Sequence, residues 1–227
     1  MTWDPIWENV FTSQAWGKYP GEDLIRFVAR HFYAAADRAA IRILEVGAGT
    51  GANLWFLAKE GFAASGVEGA PTAVNLARQR LANECPGWDA APRGGEMRHG
   101  DIGSLDWPDN SFDATVDSQA VYCSGFEDSQ RIYREMYRVT KPGGRLFVRT
   151  FAAGSWGDGI GQQVGPRSYI APDGPLAGKG LSRFTDFKDI PDLLGPWTVV
   201  EVEMITRTLR ERTQEIREWI IHGVKPE

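Results

Sequence analysis

Ile41-Arg42-Ile43-Leu44-Glu45-Val46-Gly47-Ala48-Gly49-Thr50-Gly51-Ala52-Asn53 reads as a buried strand, a tight glycine turn and the start of a helix. Ile41, Ile43, Leu44 and Val46 suit a central strand of a parallel sheet, which is covered on both faces and tolerates a nearly unbroken apolar run. Glu45 interrupts that run. A carboxylate near the end of such a strand is costly to bury unless it is paired, so it is expected to project into the crevice at the strand's carboxyl edge. Gly47, Gly49 and Gly51 leave the turn free to take positive φ and to approach a bound molecule closely. The helix beginning near Asn53 aims its free N–H groups at the same place.

The spacing of this turn admits two families. Gly47-x-Gly49-x-x-Ala52 matches the relaxed dinucleotide fingerprint G-x-G-x-x-G/A. Glu45-x-Gly47-x-Gly49-x-Gly51 also resembles the E/D-x-G-x-G-x-G loop of class I S-adenosylmethionine (SAM) dependent methyltransferases, and the acid two residues before the first glycine favours that family. The remaining chain has to separate them.

Length and composition set the bounds. With 227 residues the chain is long enough for one well-buried core, so a single domain is expected. The balance of 25 Lys plus Arg against 30 Asp plus Glu gives a net charge of −5, and no segment gathers enough basic residues to look like a phosphate-binding face. Nucleic-acid partners are therefore disfavoured. Cys85 and Cys123 belong to no C-x-x-C or Cys/His pattern, so neither a metal site nor a disulfide framework is expected and a reducing cytoplasm fits best. No export leader and no apolar run of about eighteen residues occurs, which predicts no membrane span. Monomer and homodimer stay equally open. The nine tryptophans are unevenly placed, with Trp3, Trp7 and Trp16 inside the first sixteen residues. Ile6, Trp7, Val10 and Phe11 predict one short amphipathic helix there. This segment, with Trp16 and Tyr19, reads either as packing onto the domain or as a lid that excludes water.

Glu22 to Ala36 predicts an amphipathic helix with Leu24, Ile25, Phe27, Val28, Phe32 and Ala35 on one stripe and His31 at its edge. After the glycine turn a helix runs from Asn53 to Glu60, stopped by Gly61. A strand follows from Phe62 to Val67 and ends in Glu68, which stands 17 residues after Gly51. Both candidate families place an acid there to accept hydrogen bonds from ribose hydroxyls, and Gly69 beside it permits close approach. Pro71 opens a helix to about Glu84, Cys85 to Gly95 is a loop holding Trp88, and Glu96 to Gly100 makes a third strand. Asp101-Ile102 then reads either as a turn or as the strand-end acid and apolar neighbour that frame adenine in the methyltransferase family.

The decisive stretch is Leu105-x-x-Pro108-x-x-x-Phe112-Asp113-x-x-x-Asp117, which resembles the L-P-F-x-D-x-S-F-D-x-V run of small-molecule methyltransferases and has no dehydrogenase equivalent. Thr140-Lys141-Pro142-Gly143-Gly144-Arg145-Leu146-Phe147-Val148, after a helix from Asp128 to Val139, resembles the same family's L-K-P-G-G turn and fifth strand. Here Pro142 and the paired glycines shape the reversal without touching the chemistry. Ala152 to Arg183 holds eight glycines and reads as a long loop, either solvated or covering a pocket, with Trp156, Arg167, Tyr169, Lys179 and Arg183 as its aromatic and cationic groups. A short helix from Thr185 to Leu194 and two strands, Trp197 to Leu209 and Glu215 to Lys225, close the chain.

The resemblance implies an α/β fold with a seven-stranded, mostly parallel sheet, helices on both faces and a C-terminal antiparallel hairpin. It divides the chain into an aromatic lid and first helix (1–40), a SAM-binding core (41–151), a substrate-covering loop (152–183) and a C-terminal helix and hairpin (184–227). It further implies transfer of a methyl group from SAM, with S-adenosylhomocysteine (SAH) as product, to a small-molecule acceptor; a peptide side chain, a non-catalytic SAM-binding role and a nicotinamide oxidoreductase are the alternatives. By the same resemblance Glu45, Gly47, Ala48, Gly49, Gly51 and Asn53 take the methionine end. Glu68 and Gly69 take the ribose, Asp101 and Ile102 the adenine, and Asp117, Ser118 and Gln119 flank the sulfur. Tyr122 is the candidate catalytic residue, and Trp16, Tyr19, Trp156 and Tyr169 are the candidate lid or substrate contacts. Relatives often carry histidine near Tyr122 and Cys123; this chain has none there, which puts proton abstraction by histidine in doubt.

Overall fold

The computed structural model describes residues 4–227, so Trp3 lies outside the described residues. The chain opens with α1 (Ile6–Ser13) and α2 (Glu22–Phe32), then alternates β1 (Arg42–Val46), α3 (Ala52–Lys59), β2 (Ala63–Glu68), α4 (Pro71–Glu84), β3 (Glu96–His99), β4 (Phe112–Ser118), α5 (Phe126–Val139) and β5 (Thr140–Phe151). Next come three short strands, β6 (Gln162–Gly165), β7 (Ser168–Ile170) and β8 (Leu181–Arg183), the helix α6 (Ile190–Leu194), and the hairpin β9 (Thr198–Leu209) and β10 (Gln214–Val224).

Seven strands form one sheet in the order β3-β2-β1-β4-β5-β10-β9. The first five are parallel, and β10 inserts antiparallel between β5 and β9. The chain order reverses on either side of β1, and such a switch point leaves a crevice at the carboxyl ends of the strands. The terminal antiparallel pair is the feature expected of the methyltransferase sheet.

Because successive side chains of a strand point to opposite faces, β1 feeds two cores. Ile43 enters the layer of α2, α3 and α4 with Phe27, Leu57, Ala77 and Phe147. Leu44 and Val46 enter the layer of α5 and α6 with Ile132, Tyr133, Leu193 and Trp197. A third cluster joins Trp7, Val10 and Phe11 of α1 to Ala73, Tyr122, Phe151, Leu176 and Phe184. It fastens the N-terminal helix across the top of the sheet.

Three local expectations are corrected. The second helix ends at Phe32 rather than Ala36, and Ile25 lies on its solvent side, 36% exposed, since it follows Leu24, which takes the inward position. Trp88, for which no placement was expected, is buried in the α3/α4 core. Residues 152–183 are no irregular loop: β6, β7 and β8 form an antiparallel three-stranded sheet whose turns use glycines at positive φ, among them Gly161 and Gly180. No helix among the described residues is long and apolar enough to cross a membrane.

Candidate functional site

A cleft of about 330 Å³ opens at the carboxyl edge of β1, β2, β4 and β5 and is roofed by α1 and the segment after it. Its floor is the glycine turn. Gly47, Gly49 and Gly51 take φ of +62°, +50° and +79°, values that side chains strain. A side chain at Gly47 would also strike the Ala120 methyl group, and one at Gly49 would press on the Phe11 ring at 3.5 Å. Gly51 serves as the left-handed residue that starts α3 and stands behind the cleft wall rather than in it.

Two buried carboxylates hold the turn. Glu68, at the tip of β2, accepts from the Gly49 N–H at 2.9 Å and, through its other oxygen, from the Ala70 N–H at 2.8 Å. A carboxylate oxygen accepts more than one hydrogen bond, so Glu68 keeps capacity for a ligand. Glu45 Oε1 accepts from the Asn53 side-chain amide at 2.5 Å, while its Oε2 is buried without a partner. Burial pushes the Glu45 carboxyl up to about 8, with the charges of Glu68 and Asp117 adding to the rise and the Asn53 bond opposing it. Burial also raises Glu68, against the N–H bonds that stabilise its charge. An orphaned buried oxygen beside a backbone without side chains fits a ligand that brings a cation and lies against the turn.

Of the residues expected at the site, Glu45, Gly47, Ala48, Gly49, Asn53, Glu68, Gly69, Ile102, Ser118 and Gln119 line the cleft, as do Trp16 and Tyr19. Asp117 does not. It pairs with Val46 in register, so it points into the α5 layer, whereas Glu45 pairs with Val116 and points into the other. Its carboxylate is fully buried and accepts from Tyr133 O–H at 2.7 Å and from the Ala120 and Val121 N–H groups at 3.0 and 3.1 Å. Asp101 is likewise absent from the wall and accepts from the Gly103 N–H at 2.9 Å, a local turn. Tyr122 is packed edge-on against Phe151, outside the cleft, and burial raises its hydroxyl well above the ordinary tyrosine value, which makes it a poor base at neutral pH. Trp156 sits under the Arg210 guanidinium and Tyr169 beside Phe184; neither reaches the cleft.

Sequence reasoning placed Trp7 and Phe11 in a packing or lid segment and did not single out two further wall residues, Cys123 and Arg149. Trp7 and Phe11 form the roof with Trp16, the Trp16 ring standing steeply to both at 5.9 and 5.4 Å. Cys123 lines the wall with its thiol donating to the Ala120 carbonyl, and burial pushes it up to about 12, so it stays protonated. Arg149, at the tip of β5, donates from Nε and Nη2 to Glu218 at 3.1 and 2.7 Å. A charged residue closing the apolar run Leu146-Phe147-Val148 is the same signal that singled out Glu45.

The strand order, the terminal antiparallel pair and the acid-flanked glycine turn define a class I SAM-dependent methyltransferase fold. Residues 44–148 match the methyltransferase domain family model, and the fold is that of class I SAM-dependent methyltransferases. It is 33% identical over 136 residues to a demethylmenaquinone methyltransferase of Tropheryma whipplei, covering 59% of this chain and 46% of that one. It is 31% identical over 151 residues to an arsenite methyltransferase of Aquipseudomonas alcaligenes, covering 63% and 41%. The chain thus spans about half the length of the relatives it matches. A solved SAM-dependent methyltransferase structure from Methanosarcina mazei superposes with a TM-score of 0.68 at 23% identity, over 87% of this chain and 96% of that one, a likeness of fold.

Proposed function

We propose that this chain, acting as a single domain, binds SAM in the cleft and transfers its methyl group to a small-molecule acceptor, releasing SAH. The carrying observation is that Glu45 and Glu68 share one sheet face and flank a turn with glycine at three of its five positions. Glu45 would meet the cationic amino acid end, the Gly47 to Gly49 backbone and Asn53 its carboxylate side, Glu68 the ribose hydroxyls and Ile102 the adenine ring. Ser118 and Gln119 would flank the sulfur. SAM supplies a methyl carbon on a positively charged sulfur, a leaving group already activated. The protein's part is then alignment and water exclusion. Trp7, Phe11 and Trp16 provide the second by roofing the cleft, with residues 152–183 propping that roof from behind.

An aromatic roof over the mouth of the cleft favours a small metabolite over a peptide side chain. Likeness to enzymes named for menaquinone and arsenite chemistry supports the same reading. The test is calorimetric titration of SAM into the wild type and into Glu68→Ala and Gly49→Val. Both substitutions should cut affinity at least tenfold, and unchanged affinity in both would defeat the assignment. Labelled-methyl transfer into cell extract, read by mass spectrometry, would then identify the acceptor.

A further inference from the structure

The cleft wall beyond the glycine turn has a chemistry of its own. Its polar centre is Arg149, which pairs in register with Ser118 across β4 and β5, one strand spacing from the residues proposed to flank the sulfur. The guanidinium is held rigidly. Glu218, with no exposed surface, takes its Nε and Nη2, and also accepts from Arg207 at 3.3 Å and from the Gln119 side chain. A guanidinium carries five N–H donors in a planar fork. The Nη1 edge lies against Gly21, where a side chain would collide with it, and Gly21 itself lines the cleft. That edge also forms an ion pair with Asp23, whose Oδ2 is 3.7 Å from Nη1, too long for a hydrogen bond, so its N–H donors are left for a ligand while Asp23 stays outside the cleft wall.

The same wall carries no imidazole. His31, His99 and His222 all lie outside it. The Cys123 thiol already donates to a carbonyl, and Glu45 and Glu68 lie at the glycine turn, each holding a neighbour there. Elsewhere the cleft lining supplies apolar rings, Tyr19 and Pro20 next to Gly21 in the chain and Trp16 with Phe11 over Gly49.

Resting on the methyltransferase reading above, we propose that the acceptor is a planar, largely apolar molecule carrying a delocalised oxyanion, such as a carboxylate, that docks one oxygen on the Nη1 edge of Arg149 and is methylated on the other. The transfer balances without a protein base. The free oxygen's lone pair forms the O–C bond as the C–S bond breaks, that electron pair leaves on sulfur, and no proton has to be removed. Arg149 contributes a fork geometry suited to a planar anion, which lysine cannot reproduce while also holding Glu218.

The test uses SAH-saturated protein and two probes of one shape, 2-naphthoate and 2-naphthamide, titrated by saturation-transfer NMR or calorimetry. The acid should bind at least tenfold more tightly than the amide. Arg149→Lys should abolish that preference while leaving the amide unchanged. Glu218→Gln, which removes a competing charge and keeps the shape, should strengthen naphthoate binding severalfold; a merely structural ion pair would weaken or not move it. Equal binding of the two probes, failure of the acid to bind, or an unaltered preference in Arg149→Lys would overturn the proposal. SAH affinity measured in the same samples separates the cases. If SAH binds and naphthoate shows no preference, the acceptor inference alone fails; if SAH does not bind the wild type, the cofactor reading fails with it.

Discussion

Asn53 donates its side-chain amide to Glu45 Oε1 across the glycine turn and leaves Glu45 Oε2 buried without a partner. The second residue of α3 and the penultimate residue of β1 thus hold a carboxylate half satisfied at the floor of the cleft. Burial raises it to about 8, so in the free protein at neutral pH it carries a proton. A cationic ligand beside Oε2 requires the ionised form. SAM affinity should therefore rise as pH approaches about 8 and fall again above it, where the ligand's own α-amino group, ordinarily also about 8, loses its charge. Calorimetry at pH 7 in buffers of differing ionisation enthalpy should report release of about one proton, and Glu45→Gln should abolish the release.

The same group links stability to pH in the free protein. Its folded value lies above its ordinary value of 4.5, so its contribution is fully present below that value and is lost as pH rises through about 8. Urea midpoints should fall between these limits, and Glu45→Gln should flatten the decline.

Gly66 sits in β2 directly behind the turn, where an added methyl group would lie 2.6 Å from Leu54 Cδ1 and 2.9 Å from the Ala48 methyl. Gly66→Ala should cost about 1–3 kcal/mol in overpacking and displace the turn, so urea denaturation and SAM titration should weaken together.

Tyr133 and Asp117 face away from the cleft. Tyr133→Phe removes the 2.7 Å donor to a fully buried carboxylate and should cost about 1–3 kcal/mol. SAM affinity should change by less than twofold, because neither group lies in the wall. A large loss of affinity with unchanged thermal stability would restore Asp117 to the ligand site.

Trp16 is 37% exposed and rests on the Trp7 and Phe11 rings with the Lys179 ammonium 5.2 Å from its ring. Trp16→Ala should leave the melting temperature nearly unchanged yet raise the acceptor KM severalfold with little effect on the KM for SAM. Steady-state kinetics with the identified acceptor check this.

Local chemistry was legible wherever a residue's role depends on its neighbours in sequence. The three glycines needed positive φ, Glu68 needed only to close a strand, and Pro142 with Gly143 and Gly144 needed only to reverse the chain. Asp117 lies outside the cleft wall although it stands at a strand tip as Glu45 and Glu68 do, and Asp101 lies outside it in the turn past β3. An acid at a strand tip is an equally strong signal on either face, and the pleat decides which face it serves. The 152–183 segment looked irregular because glycine-rich turns outweigh strands of three or four residues in any local window.

From the residues alone came the alternation of strands and helices, the turn that a ligand must approach, and the acids that could serve it. The pairing of β4 with β1, between residues some seventy positions apart, decided that Glu45 faces the cleft while Asp117 braces Tyr133. Docking of α1 over Gly49 and of Arg149 against Glu218 likewise brings together groups far apart along the chain. Periodicity tells that neighbouring side chains of a strand oppose one another; which of the two faces meets the ligand is fixed only when distant strands settle into register and the helices cover them.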